Sequence, residues 1–258
     1  MMETIQTHAK KRNDKLSVLD LFSGIGGFSL GLERTGGFET VAFCEIEEFP
    51  RKVLAKHWPD VPCYRDVREL TAAKLAADGI AVDVICGGFP CQDLSEAGER
   101  AGIDGERSGL WTDFARLIGD IRPRYALVEN VPELLIGGNG AWFNRVISDL
   151  AALGYDAVWN CISAAHLGAC HIRDRLWVAA VLPDAPCERF EQRWREQFSQ
   201  SRAPAGDVHQ WSSEPEPPRV ADGVSNRMVR VRATGNAVVP QIPELIGRAI
   251  LDAERLAA

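Results

Sequence analysis

From Leu16 onward, short runs of apolar residues alternate with longer stretches whose apolar positions return every three or four residues. The runs at Leu16–Phe22, Glu39–Glu45, Val82–Cys86, Tyr125–Glu129, Ala157–Ser163 and Leu176–Leu182 predict strands. Helices are predicted from Gly27 to about Arg34, over Glu48–His57, Leu110–Ile121 and Trp142–Leu153, and from about Ile242 to Leu256. Strands separated by helices of roughly 10–15 residues indicate βαβ units and a largely parallel sheet, so the predicted fold class is α/β. Residues 1–15 are polar and expected to fray.

The pattern breaks after Leu182. Residues 183–232 hold eight Arg, eight acidic residues and six Pro, with Trp194, Phe198 and Trp211 standing out among few apolar runs. This stretch is expected to be a variable insertion or small lobe outside the sheet. Order is expected to return at Ala233-Thr234-Gly235-Asn236-Ala237-Val238-Val239-Pro240, ahead of the last helix.

The 258 residues, 46% hydrophobic and 25% charged, are enough for one large domain and too apolar for a disordered chain. The net charge of −7 argues against a broadly basic surface, but one local basic groove suffices to bind phosphates. The seven-residue run Leu176–Leu182 is far short of the ~20 apolar residues a bilayer requires. The N-terminus carries Lys10, Lys11, Arg12 and Lys15 without an apolar stretch, so no signal peptide is expected. Cys44, Cys63, Cys86, Cys91, Cys161, Cys170 and Cys187 are odd in number and form no CxxC pair. Neither a metal site nor a disulfide framework is expected, and a reducing, cytoplasmic compartment fits.

Candidate chemistry gathers where strands end, which is where open parallel sheets bind ligands. Asp20-Leu21-Phe22-Ser23-Gly24-Ile25-Gly26-Gly27 is a glycine-rich turn into a helix, whose N-terminus offers unpaired N–H donors. Glu45 closes the second strand about 20 residues on, where an acid commonly binds a ribose. These features alone fit a packing turn, or an adenosine-bearing cofactor such as the dinucleotide of an oxidoreductase. Cys91 follows Gly87-Gly88-Phe89-Pro90 on a constrained turn, unlike Cys86 and Cys161, which lie within apolar runs as buried cysteines do. Glu129 ends an apolar strand, where a raised pKa would suit a proton donor; a helix cap or surface ion pair is the alternative. Arg173 and Arg175, two residues apart just before the last strand, aim to one side and fit either a binding pair or a solvated ladder.

In this order, Asp20–Gly27, Gly88-Phe89-Pro90-Cys91-Gln92, Glu129-Asn130-Val131, Arg173-Asp174-Arg175 and Gly235–Pro240 resemble the DNA (cytosine-5) methyltransferase family, in its compact bacterial and phage form. The resemblance implies a Rossmann-like sheet with helices on both faces and S-adenosylmethionine as cofactor. It divides the chain into a catalytic and cofactor-binding domain (1–182), a short target-recognition region (183–232) and a returning C-terminal segment (233–258). Cys91 would add to cytosine C6, so that C5 becomes nucleophilic. Glu129 would serve N3 as the acid, and Arg173 and Arg175 would hold the base carbonyl and the catalytic loop. Phe22, Gly24, Gly26, Glu45, Asp66, Asn236 and Val238 would form the cofactor pocket. Gln92, Ser95, Arg107, Arg227, Arg230 and Arg232 would contact DNA, within which the target base must be flipped out. The segment Asp93–Gly109 would close over that base. Nucleoid association in a bacterial cell, alongside a restriction system or a phage, is the implied setting. An RNA cytosine methyltransferase and a non-catalytic DNA-binding relative share most of these features.

Overall fold

The computed structural model describes residues 15–90, 109–169, 172–200, 233 and 235–255. Seven strands make one sheet in the order β3-β2-β1-β4-β5-β7-β6. They are β1 (Leu16–Leu21), β2 (Phe38–Cys44), β3 (Cys63–Tyr64), β4 (Val84–Gly88), β5 (Tyr125–Asn130), β6 (Asp156–Ser163) and β7 (Asp174–Val181). The α-helices among the described residues are α1 (Gly27–Arg34), α2 (Glu48–His57), α3 (Ala72–Ala77), α4 (Leu110–Ile121), α5 (Ala141–Ala152), α6 (Cys187–Gln200) and α7 (Gln241–Arg255).

The central strands are apolar on both faces, because alternate side chains enter two separate cores. In β5, Ala126 and Val128 enter one core; Tyr125 and Leu127 enter the other. In β7, Leu176, Val178 and Ala180 divide from Trp177, Ala179 and Val181 in the same way. The first core is roofed by Trp111, Phe114, Leu117 and Ile118 of α4 and by Val146 and Leu150 of α5. The second is roofed by Phe28 and Leu32 of α1 and by Ile242, Ile246, Ala249 and Ile250 of α7. This is the expected α/β layering with helices on both faces.

Three features refine or depart from the sequence reading, within a sheet that is largely parallel as expected. The sheet is parallel only through β5; β7 runs antiparallel to both β5 and β6. Ten residues link β6 to β7, fewer than the dozen or so that a parallel crossover needs. Cys161 is exposed, not buried, because β6 is the edge strand. The opening of the 183–232 stretch is the ordered helix α6, whose Phe190 and Trp194 are buried in the second core. Phe190 meets Tyr125 of β5 edge-on, with ring centroids 6.0 Å apart. No helix among the described residues is long and apolar enough to cross a membrane.

Strand order reverses between β1 and β4, which opens a crevice at their carboxyl ends. The antiparallel β7 brings its first residues to that same end of the sheet, with Leu176 opposite Asn130 and Trp177 opposite Glu129. Residues that begin one strand and end four others therefore share a single rim.

Candidate active site

The glycine-rich turn leaves β1 through Phe22, Gly24 and Gly26, at φ of 51°, 53° and 85°. A bulky residue at positive φ is strained, so the surrounding contacts must hold Phe22 there. Its ring lies 6.2 Å from that of Phe114. The turn is fastened to its neighbours by backbone donors. Ser23 N donates to Cys44 O at 3.3 Å, and Gly26 N donates to Ser23 O at 2.8 Å.

The Glu45 carboxylate closes this corner. Its Oε2 accepts from Gly24 N and its Oε1 from Glu47 N, both at 2.7 Å. Burial raises its proton affinity, and the backbone donors to the carboxylate oppose that rise. Each oxygen keeps acceptor capacity for a hydroxyl, so the pair fits a vicinal diol such as a ribose. Beneath it lies Asp20, fully buried, with Oδ2 accepting from Ser29 Oγ at 2.7 Å and Ser29 N at 3.3 Å. Burial lifts the Asp20 pKa to about 7 against these hydrogen bonds.

Asp66 stands on the loop after β3, with both carboxylate oxygens engaged by Arg68 at 2.7–3.1 Å. That pairing holds its pKa below the ordinary carboxylate range. Accepting from an adenine amine would use its remaining lone pairs. Val238 reaches the glycine turn from the C-terminal segment, its carbonyl lying where a Cβ on Gly27 would stand. Asn236 is exposed on the turn before it.

The second part of the rim is built on charge. Glu129 Oε1 lies 3.0 Å from Arg175 Nε, with the two side chains 13% and 23% exposed. Burial raises the Glu129 pKa, and Arg175 and then Arg173 oppose the rise. Gly88 is registered opposite Glu129, and a Cβ there would stand 2.5 Å from Glu129 Oε2. Only glycine leaves space for the carboxylate at this position. Asn130 Nδ2 donates to Phe89 O at 3.1 Å, fixing the start of the segment that leads to Cys91. Arg173 turns elsewhere: it donates to Gly235 O at 2.6 Å and Ala237 O at 3.0 Å.

The C-5 cytosine-specific DNA methylase model matches residues 16–223. The chain belongs to that family. A type II methyltransferase of Bacillus subtilis (strain 168), M2.BsuMI, is 37% identical over 175 residues, covering 66% of this chain and 43% of the relative. M.CviJI of Paramecium bursaria Chlorella virus IL3A is 31% identical over 223 residues, covering 86% of this chain and 56% of the relative. Among solved structures, an E. coli prophage protein described as a DNA modification methyltransferase aligns with TM-score 0.58 and 30% identity. That alignment covers 66% of this chain and 47% of the other. Spodoptera frugiperda DNMT2, at 22% identity and TM-score 0.54 over 65% of this chain and 50% of that one, supports the fold alone. The chain thus spans about half the length of the curated relatives it matches.

For this family member, the rim unites the predicted Phe22, Gly24, Gly26 and Glu45 on one side and Glu129 and Arg175 on the other. Arg173, expected beside Arg175, is separated from it in partner although near in space, because strand β7 already includes Arg175 while Arg173 precedes it. Cys91, Gln92, Ser95, Arg107, Arg227, Arg230 and Arg232 lie outside the described residues. Two further side chains stand beside the predicted residues. Asn130 was legible as the middle of Glu-Asn-Val, but its grip on Phe89 O was not. Ile46 is 54% exposed between two acids at the end of β2, an apolar face beside Glu45. Among the described residues, no group of His, Cys, Asp and Glu could hold a metal ion.

Proposed function

We propose that the chain transfers a methyl group from S-adenosylmethionine to C5 of a flipped-out cytosine in double-stranded DNA, through a covalent bond between Cys91 and C6. The observation that carries this reading is the Glu129–Arg175 pair facing Gly88, three residues before Cys91. A buried carboxyl with raised proton affinity suits an acid that must serve a ring nitrogen near neutral pH. S-adenosylmethionine, when bound, supplies an electrophilic methyl group on its sulfonium. Glu45 would hold its ribose and Asp66 its adenine amine. Phe22 and Ile46 would offer apolar faces to the adenine, and Val238 and Asn236 would close the pocket. Gly24 and Gly26 would keep the backbone near its methionine end.

The residues of the chain divide the remaining work. The Cys91 thiolate adds to C6, and the displaced electron pair is shared between C5 and N3, where Glu129 donates its proton. Arg175 stays paired with that carboxyl and holds the base carbonyl. C5 then bonds the methyl group, and loss of the C5 proton, departure of the sulfur from C6 and return of the N3 proton to Glu129 restore the aromatic ring, the free cysteine and the acid. Arg173 acts through the C-terminal segment, tying Gly235 and Ala237 to the base side of the rim.

Because Phe190 and Trp194 of α6 pack into the second core, the target-recognition part of 183–232 would lie mainly after Gln200, and Arg227, Arg230 and Arg232 would be its phosphate contacts. Gln92, Ser95 and Arg107 would reach DNA from the segment after Cys91. The names of the type II relatives favour a role beside a restriction system. Bisulfite sequencing of DNA from cells expressing the chain tests the reading, with sequence-specific protected cytosines expected. Label from S-adenosylmethionine appearing in RNA but never in duplex DNA would replace the substrate.

A further inference from the structure

The indole of Trp58 sits directly beneath the glycine-rich turn. A Cβ on Gly26 would stand 2.7 and 2.8 Å from two atoms of the Trp58 ring. Gly26 holds φ 85° as the residue that caps α1, a conformation that glycine adopts freely but does not prefer, so the packing around it selects the shape of the turn. Trp58 is itself anchored at three points. Its N–H donates to Leu54 O at 2.7 Å, closing α2, and its ring meets Phe43 of β2 edge-on at 5.3 Å. Its Nε1 donates to Glu33 Oε2 at 2.9 Å. The other oxygen of Glu33 accepts from Thr40 N at 3.0 Å. One carboxylate in the last turn of α1 therefore joins the start of β2 to the end of α2, and the indole carries that connection back to Gly26, which caps α1.

We infer that Trp58 and Glu33 are positioning residues that hold the glycine-rich turn in its cofactor-binding shape. The inference rests on reading this turn as the S-adenosylmethionine site. Neither side chain needs to touch the cofactor. The indole blocks Gly26 from relaxing downward, which keeps Gly24 N aimed at Glu45. Glu33 fixes the plane of the indole. Its two acceptors serve two donors, so an amide in its place satisfies only one of them.

Glu33→Gln and Trp58→Phe test this in the full chain, by calorimetric titration with S-adenosylmethionine and by steady-state methylation of DNA. Each variant is expected to weaken cofactor binding about tenfold, as for a lost partner at a part-buried donor. Turnover at saturating cofactor should stay within about twofold and KM for DNA should not change. Combining the two changes should weaken binding little beyond either alone, because both break one connection. Unchanged cofactor affinity in folded Glu33→Gln overturns the inference, even where Trp58→Phe fails to fold. A parallel fall in turnover, DNA affinity and thermal stability also overturns it, since that is the signature of a general structural defect. Failure of the unaltered chain to bind S-adenosylmethionine overturns the reading of the site itself, whereas wild-type binding with unaltered variants overturns only the brace.

Discussion

Two glutamates end neighbouring parts of the same rim, and they are held in opposite ways. Glu45 is bound by two backbone N–H groups, and Glu129 by the guanidinium of Arg175. Burial raises the proton affinity of both. Backbone donors cannot titrate or swing away, so the Glu45 oxygens stay fixed as acceptors, a property suited to gripping hydroxyls. An arginine side chain can shift as a substrate enters, and the buried carboxyl beside it can exchange a proton with a ring nitrogen. The chemistry of each corner follows from its partner, not from the carboxyl group.

Removing the titrating carboxyl should break the contrast most sharply. Glu129→Gln is expected to lower kcat by roughly 10²–10⁴, the usual worth of a positioned acid, while S-adenosylmethionine affinity stays near wild type. Single-turnover methylation and calorimetry together check it; a matching loss of cofactor affinity would erase the division between the corners.

Asp20 offers a third carboxyl, buried beneath the Glu45 corner, with hydrogen bonds to Oδ2 and, among the described residues, none to Oδ1. Its pKa is raised in the folded protein from 3.8 to about 7. Between these values the folded state binds more protons than the unfolded chain. The group's contribution to stability is therefore full below about pH 4 and is lost as pH rises towards 7. The total is at most about 4 kcal/mol, from roughly three pKa units. Asp20→Asn keeps an acceptor for Ser29 and removes the titration. Urea unfolding across pH 4.5–7.5 should show a shallower decline for the variant than for wild type; equal slopes would mean that Asp20 does not carry it.

Glu45→Gln should have the smallest effect. One of the two N–H groups would then face an amide NH₂, and S-adenosylmethionine affinity should drop about tenfold with kcat at saturation nearly unchanged. A larger fall in kcat than in affinity would reverse the roles assigned to the two glutamates.

Much of this arrangement was legible because the central strands are apolar on both faces, and a run such as Tyr125–Val128 is hard to mistake. The glycine turn and the acids at strand ends followed from the same pattern. β3 escaped because two residues make no run, and α3 because its six residues make fewer than two turns, too few for an apolar period to repeat. α6 was hidden by averaging: Phe190, Trp194 and Phe198 recur every four residues, but the charges around them dominate the composition. The direction of β7 leaves no trace in burial, since parallel and antiparallel central strands bury the same residues; only the short link before it carried the signal. Arg173 and Arg175 looked equivalent at period-two spacing, and their different partners depend on where the C-terminal segment returns, a contact about sixty residues away.

The central claim is that one cysteine bonds transiently to the pyrimidine it methylates. Duplex DNA carrying 5-fluorocytosine at cytosine positions tests it, because fluorine at C5 cannot leave as a proton and the enzyme stays attached. With S-adenosylmethionine present, the account predicts a denaturation-resistant protein–DNA adduct that peptide mass spectrometry maps to Cys91 and that Cys91→Ala does not form. Methylation of unsubstituted DNA at an undiminished rate by Cys91→Ala, with no adduct from the unaltered chain, would contradict it.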